Sequence, residues 1–269
     1  MSDPGRGTAA VPWHADRGDL TAAASTRGCS VGARFEELAW AATAMGEISL
    51  RRRVEPTLGV DVFEVKLGDE FLMSSLFTVA EVELARLGLA ALPDPDGGGL
   101  DVVVGGLGLG YTARTVLEDA RVGALVVVEA LAEVVDWHER DLLPDTVGLA
   151  ADPRVRLVRG DFFAATATDD GYDPEAPGRR FHAVLVDIDH TPAHVLHPSH
   201  AAFYTVDGLR RLTRHLHPGG VFALWSDDPP DEAFLEVLRT VFGTVEAHVV
   251  TFANPLTRGE SANSVYVAR

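Results

Sequence analysis

The chain is short of three things, and each shortage narrows what it can be. It has a single cysteine, Cys29, so no intrachain disulfide can form and a reducing, cytoplasmic setting is expected. It is poor in basic residues: 23 lysines and arginines face 40 aspartates and glutamates, for a net charge of −17. A surface of that sign repels a phosphate backbone, which argues against nucleic acid as a partner. The one basic run, Arg51-Arg52-Arg53, suits a partly solvated strand. Long apolar runs are missing too. No stretch is apolar enough to cross a membrane, and residues 1–34, rich in Gly, Ala, Ser, Thr and Pro, lack the apolar stretch of a signal peptide. That segment reads as a disordered tail. The remainder is long enough for one large domain, or one domain with a small appendage, around a sizeable core.

The pattern changes along the chain. From 35 to 77 it leans to strand, with alternation at 47–50 and 60–67 and a turn at Pro56 and Gly59. This predicts a small antiparallel β unit. Thr78 to Leu92 reads as a helix that Pro93 ends. From Leu100 onward, strands and helices alternate. Strands are expected at 101–104, 124–128, 155–158, 181–186 and 221–225, and helices at 112–120, 131–142, 202–215 and 231–242. A polar loop is expected at 166–180, and a closing hairpin from 245–252 and 264–267. Repeated βα units imply right-handed crossovers. The predicted fold is therefore α/β: a Rossmann-like, doubly wound, mostly parallel sheet over 78–269, with a C-terminal antiparallel hairpin, preceded by the small β unit.

In such sheets ligands bind beyond the carboxyl ends of the strands, so the residues there are the candidates. After the first strand come Gly105, Gly106, Gly108 and Gly110. Glycine lets a ligand approach the backbone, and the N-terminus of the following helix suits a carboxylate or phosphate. Glu129 ends the second strand, roughly twenty residues on, where an acid can accept both hydroxyls of a ribose. Gly160-Asp161 closes the third strand, placing a carboxylate for an adenine amino group. Asp187-Ile188-Asp189 closes the fourth. Asp227 and Asp228 follow the fifth, which a turn at His217-Pro218-Gly219-Gly220 introduces. The glycines and Glu129 alone also match a dinucleotide fingerprint. His190, His194, His197 and His200 crowd one segment, but their spacing matches no standard zinc pattern and two prolines interrupt them, so no metal is expected.

Taken in order, these motifs resemble those of class I S-adenosylmethionine-dependent transferases. With the small β unit, the doubled Gly105-Gly106 and Gly68-Asp69-Glu70-Phe71, the stretch from 47 to 267 resembles the spermidine synthase (polyamine aminopropyltransferase) family. The resemblance implies S-adenosylmethionine or its decarboxylated form as co-substrate, held by Gly105, Gly106, Gly108, Gly110, Glu129, Gly160, Asp161 and Asp187. It implies Asp187 as the catalytic base and Asp189 as a residue steering a small cationic amine, with a homodimer left open. The sequence departs from the family at three places. The glycine loop reads GGLGLG rather than GGGDGG. Met73 and Ser75 stand where the family has a tyrosine and a glutamate. The catalytic loop reads Asp187-Ile188-Asp189-His190-Thr191-Pro192 rather than close to DSSDP. A methyltransferase with another acceptor, a non-catalytic nucleoside-binding protein and a nicotinamide-dependent oxidoreductase are the alternatives.

Overall fold

Alternation along the strands fixes the two faces of the main sheet. In the computed structural model, which describes residues 34–43, 45–94 and 97–269, this sheet has seven strands in the order β10-β11-β9-β8-β5-β6-β7. They are β5 (Leu100–Gly105), β6 (Val122–Glu129), β7 (Val155–Arg159), β8 (Phe181–Val186), β9 (Leu216–Ser226), β10 (Val245–Asn254) and β11 (Gly259–Ala268). Strands β5 to β9 run parallel, and β10 and β11 are antiparallel. Val102, Val104, Leu125, Val127, Leu185 and Ala223 face one layer of helices, whereas Val103, Val126, Val128, Val184, Val186 and Phe222 face the other. Burial on both faces explains why these strands read as unbroken apolar runs. The first layer holds α1 (Val79–Ala90), α2 (Tyr111–Glu118) and α3 (Ala132–Glu139). The second holds α4 (Phe162–Ala167), α5 (Val206–Thr213) and α6 (Glu232–Val241).

A second sheet precedes this one, as expected: β1 (Phe35–Thr43), β2 (Gly46–Glu55), β3 (Val60–Leu67) and β4 (Glu70–Ser74), an antiparallel meander. The arginine run lies in β2, where Arg52 pairs with Asp61 and Arg53 with Glu64. Ile48, Leu50 and Val65 join the apolar cluster that contains Leu84, Val104 and Val116, so this sheet packs on the α1–α2 face. The segment 1–33, most of the expected tail, lies outside the described residues.

Boundaries differ from expectation at several places; the helix expected at 202–215, for one, is the shorter α5. Pro218-Gly219-Gly220 is not a turn ahead of the fifth strand but an irregularity inside it. Phe181 pairs with Leu216 and Ala183 with Val221, so β9 carries extra residues there, and Gly219 takes φ 76°. A six-residue helix, α4, begins before the expected polar loop and is too short to show periodicity. The closing hairpin is longer than expected, because β11 begins at Gly259 in polar sequence.

Strand β6 lies on one side of β5 and β8 on the other, so the chain reverses direction across the sheet between β5 and β8. The crevice at that reversal is where ligands bind in open α/β sheets. It closes tightly in the backbone. Gly106 has φ 90°, and a Cβ there would collide with the carbonyl oxygen of Asp187. Gly68 also has positive φ, at 57°, but has open space around it. Gly68→Ala is expected to cost only the left-handed backbone strain, about 1–2 kcal/mol. Gly106→Ala adds a backbone clash to that strain and should lower the melting temperature substantially more. Equal losses in the two variants, measured by calorimetry, would show that the crevice is looser than described.

Candidate functional site

Three main-chain hydrogen bonds hold the ends of β5 to β8 level with one another. Gly106 N–H donates to the Val128 carbonyl, Gly160 N–H to the Glu129 carbonyl and Asp187 N–H to the Gly105 carbonyl, each at 2.9 Å. The sequence-predicted residues of these four strand ends therefore share one rim.

Glu129 turns inward from the end of β6 and is only 9% exposed. Its Oε2 accepts from Leu107 N–H and its Oε1 from Leu131 N–H, both at 2.9 Å. Burial pushes its carboxyl above the usual carboxylate range, and the surrounding backbone N–H groups oppose that shift. The backbone N–H groups of Leu107, Gly108, Ala130 and Leu131 all bear on this carboxylate.

The missing side chains of the glycine loop have a reason inside the protein. A Cβ on Gly105 would lie 2.7 Å from the Phe162 ring, on Gly108 2.7 Å from Met73 Sδ, and on Gly110 2.6 Å from His138. His138 in turn lies 2.9 Å from the Gly108 carbonyl through Nε2, and Thr146 donates to the Leu109 carbonyl at 3.3 Å. Close packing within the chain is thus one reason that these positions carry no side chain. Met73, on β4, brings the small sheet onto the loop.

Asp161 is exposed and caps α4, its Oδ1 accepting from Phe163 N–H at 2.8 Å and Ala164 N–H at 3.0 Å. A groove of about 210 Å³ opens beside it, lined by Phe163, Ala164, Ser199, Phe203 and Arg211 among others.

Asp187 lies at the crevice itself. Thr112, from the first turn of α2, donates to its Oδ2 at 2.8 Å. Desolvation lifts the Asp187 carboxyl to about 6, with the threonine bond opposing the shift. Asp189, two residues on, is placed differently from the expected steering role. It is 1% exposed. Its Oδ2 accepts from Tyr204 at 2.8 Å, while its Oδ1 accepts from Leu196 N–H at 2.7 Å and lies 2.8 Å from His200 Nδ1. Both oxygens serve to fasten the 190–204 segment. The histidines of that segment lie in two pairs, His190 with His194 (ring centroids 5.5 Å apart) and His197 with His200 (5.8 Å); His200 also stacks on Phe163, and His197 bonds Ser199.

Among the described residues, the metal-capable side chains that do gather are Asp101, His182 and His217, at the opposite end of the sheet. There the Nδ1 of His182 accepts the Asp101 N–H at 2.9 Å, and Arg179 holds the Asp101 carboxylate at 2.8 Å. Metal-bound histidines ordinarily donate from their second ring nitrogen, and this one accepts.

Sequence reasoning missed Glu81. It sits in the first turn of α1, and its carboxyl faces Asp187 and Asp227. Desolvation first, then the Asp187 charge, raises it well above the carboxylate range. The available signal was spacing. Gly88 lies two turns further along α1 and packs on Leu185 and Ala223, so Glu81, on the same helix face, comes to lie over the ends of those strands. Thr112 and Met73 were missed as well.

No protein-family model matches the chain. It is 32% identical over 162 residues to polyamine aminopropyltransferase 2 of Pseudomonas aeruginosa, a match covering 56% of this chain and 42% of that protein. In structure it is similar to the spermidine synthase of Thermotoga maritima, with a TM-score of 0.63 at 18% identity over 86% of this chain and 72% of that one. It is also similar to human methyltransferase-like protein 13 in complex with SAH, with a TM-score of 0.54 at 20% identity over 71% and 82%. The chain is thus similar to a polyamine aminopropyltransferase in sequence over part of its length and to spermidine synthases in fold.

Proposed function

We propose that the chain is a spermidine synthase-like transferase that uses S-adenosylmethionine, decarboxylated or not, to alkylate a small cationic amine. The observation that carries this reading is the convergence at the β5–β8 crevice. The glycine loop, the inward Glu129 and the desolvated Asp187 meet there on one rim. In this reading Glu129 accepts the ribose hydroxyls of the donor, and the free oxygen of Asp161 lies on the adenine side. Asp187, oriented by Thr112, faces the acceptor nitrogen. The ammonium gives one proton to Asp187, and the freed lone pair attacks the carbon bound to the sulfonium. The C–N bond forms, the C–S bond breaks, and the electron pair returns to sulfur as a neutral thioether. The leaving group needs no acid, so the protein supplies alignment and one base.

Ligand selectivity separates this from its rivals. A ligand that binds only the native state raises the melting temperature by mass action. Methylthioadenosine and decarboxylated S-adenosylmethionine are expected to raise it. A response to S-adenosylmethionine alone would favour a methyltransferase, and a response to NAD alone would reject the reading.

Glu129→Ala is expected to weaken methylthioadenosine binding roughly tenfold or more, the scale of a lost charged hydrogen bond. Unchanged affinity by calorimetry would place the ribose elsewhere.

Asp187→Asn should keep donor affinity within a few-fold and abolish turnover. Because the base works ionised and its carboxyl is raised to about 6, wild-type turnover should climb with pH up to that region and level off above it. A profile already flat from pH 5 upward, or an active Asn variant, would remove Asp187 from the role.

A further inference from the structure

Three acids come together at the crevice: Glu81 from α1, whose main-chain carbonyl lies 3.4 Å from the Thr112 hydroxyl that holds Asp187; Asp187 after β8; and Asp227 after β9, whose N–H donates to the His190 carbonyl at 2.8 Å. Among the described residues, no arginine or lysine is ion-paired or hydrogen-bonded to any of them. Elsewhere in the chain acids are commonly matched by arginine, as at Asp119, Asp152 and Asp173. Asp187 is held by Thr112 and Asp227 by Asn263, whose Nδ2 donates at 2.7 Å. The Glu81 carboxyl has no such anchor among the described side chains. It sits on a helix whose backbone is fixed by packing, since Gly88 of the same face lies against Leu185 and Ala223. The Thr112 hydroxyl lies 2.8 Å from Asp187 Oδ2 and 3.4 Å from the main-chain carbonyl oxygen of Glu81, so the backbone at Glu81 is close to Asp187. On the same sheet face, Trp225 packs at the end of β9 with a buried indole N–H that has no partner. The titratable groups facing Glu81 are Asp187, Asp227 and Tyr111, and none brings positive charge.

We propose that Glu81 is the charge-reading residue of the acceptor site, taking a cationic nitrogen of the amine beside Asp187. This rests on the transferase reading above. In the resting protein the neighbouring acids and desolvation keep the Glu81 carboxyl protonated. An ammonium placed among the three acids reverses that balance, and the proton leaves to solvent while the new ion pair forms. A neutral acceptor offers no such exchange, so the site selects a charged amine over an uncharged isostere.

The test uses calorimetry on the full chain at pH 7, with methylthioadenosine first and 1,4-diaminobutane second, in buffers of different ionisation enthalpy. The wild type is expected to release close to one proton on binding the diamine. In Glu81→Gln that release should vanish and diamine affinity should fall roughly tenfold or more, with methylthioadenosine affinity unchanged as the control for folding. Glu81→Asp should restore part of both. If methylthioadenosine binds but proton release and diamine affinity match in wild type and Glu81→Gln, the Glu81 assignment is overturned while the donor site stands. If the wild type binds no methylthioadenosine, the transferase reading falls, and the Glu81 assignment with it.

Discussion

One buried carboxylate organises the crevice. Glu129 ties the first residue beyond the glycine pair, through Leu107 N–H, to the start of the next connection, through Leu131 N–H. These are backbone donors at the ends of parallel strands, where no neighbouring strand remains to satisfy them. An acid at this position solves that problem by accepting from the backbone on both sides of the rim. The same group shapes the loop and, in the proposed function, receives the sugar. Burial alone penalises its charge, and the surrounding N–H groups are what make the ionised form tolerable.

The rest of the site follows from how tightly that loop is packed. Phe162, Met73 and His138 occupy the volumes that side chains on the loop would need, and the Asp187 carbonyl crowds Gly106. Asp187 is consequently held against the loop by its own backbone, while Thr112 fixes one oxygen of its side chain. Across the rim, Asp189 faces the other way, locking Tyr204 and the segment around His200. Two acids only two residues apart thus divide the work, one at the crevice and one holding the segment that walls it.

Much of this was legible in the sequence because parallel βα repeats leave a strong trace. Runs such as Val102–Val104 and Leu125–Val128 can only be strands buried on both faces, and their ends name the glycine loop, Glu129, Asp161 and Asp187. Sequence could not tell Asp187 from Asp189, because alternation beyond a strand end does not say which side chain meets a helix and which meets a loop. Glu81 was hidden for a different reason. It lies in a helix that precedes the glycine loop, and its place at the rim depends on Gly88 letting α1 lie close to β8 and β9. Met73 stands where the resembled family has a tyrosine, and its thioether lies against Gly108. The Pro218-Gly219-Gly220 irregularity inside β9 looked like a strand start because proline and glycine ordinarily end strands rather than interrupt them.

The most direct test of the account compares methylthioadenosine with its analogue lacking the 2′-hydroxyl, by calorimetry, in the wild type and in Glu129→Ala. If Glu129 receives the sugar, removing the hydroxyl weakens binding roughly tenfold in the wild type and leaves the variant almost unaffected. If the hydroxyl contributes nothing in the wild type, or contributes equally once the carboxylate is gone, the buried acid only braces the loop and the proposed donor site is contradicted.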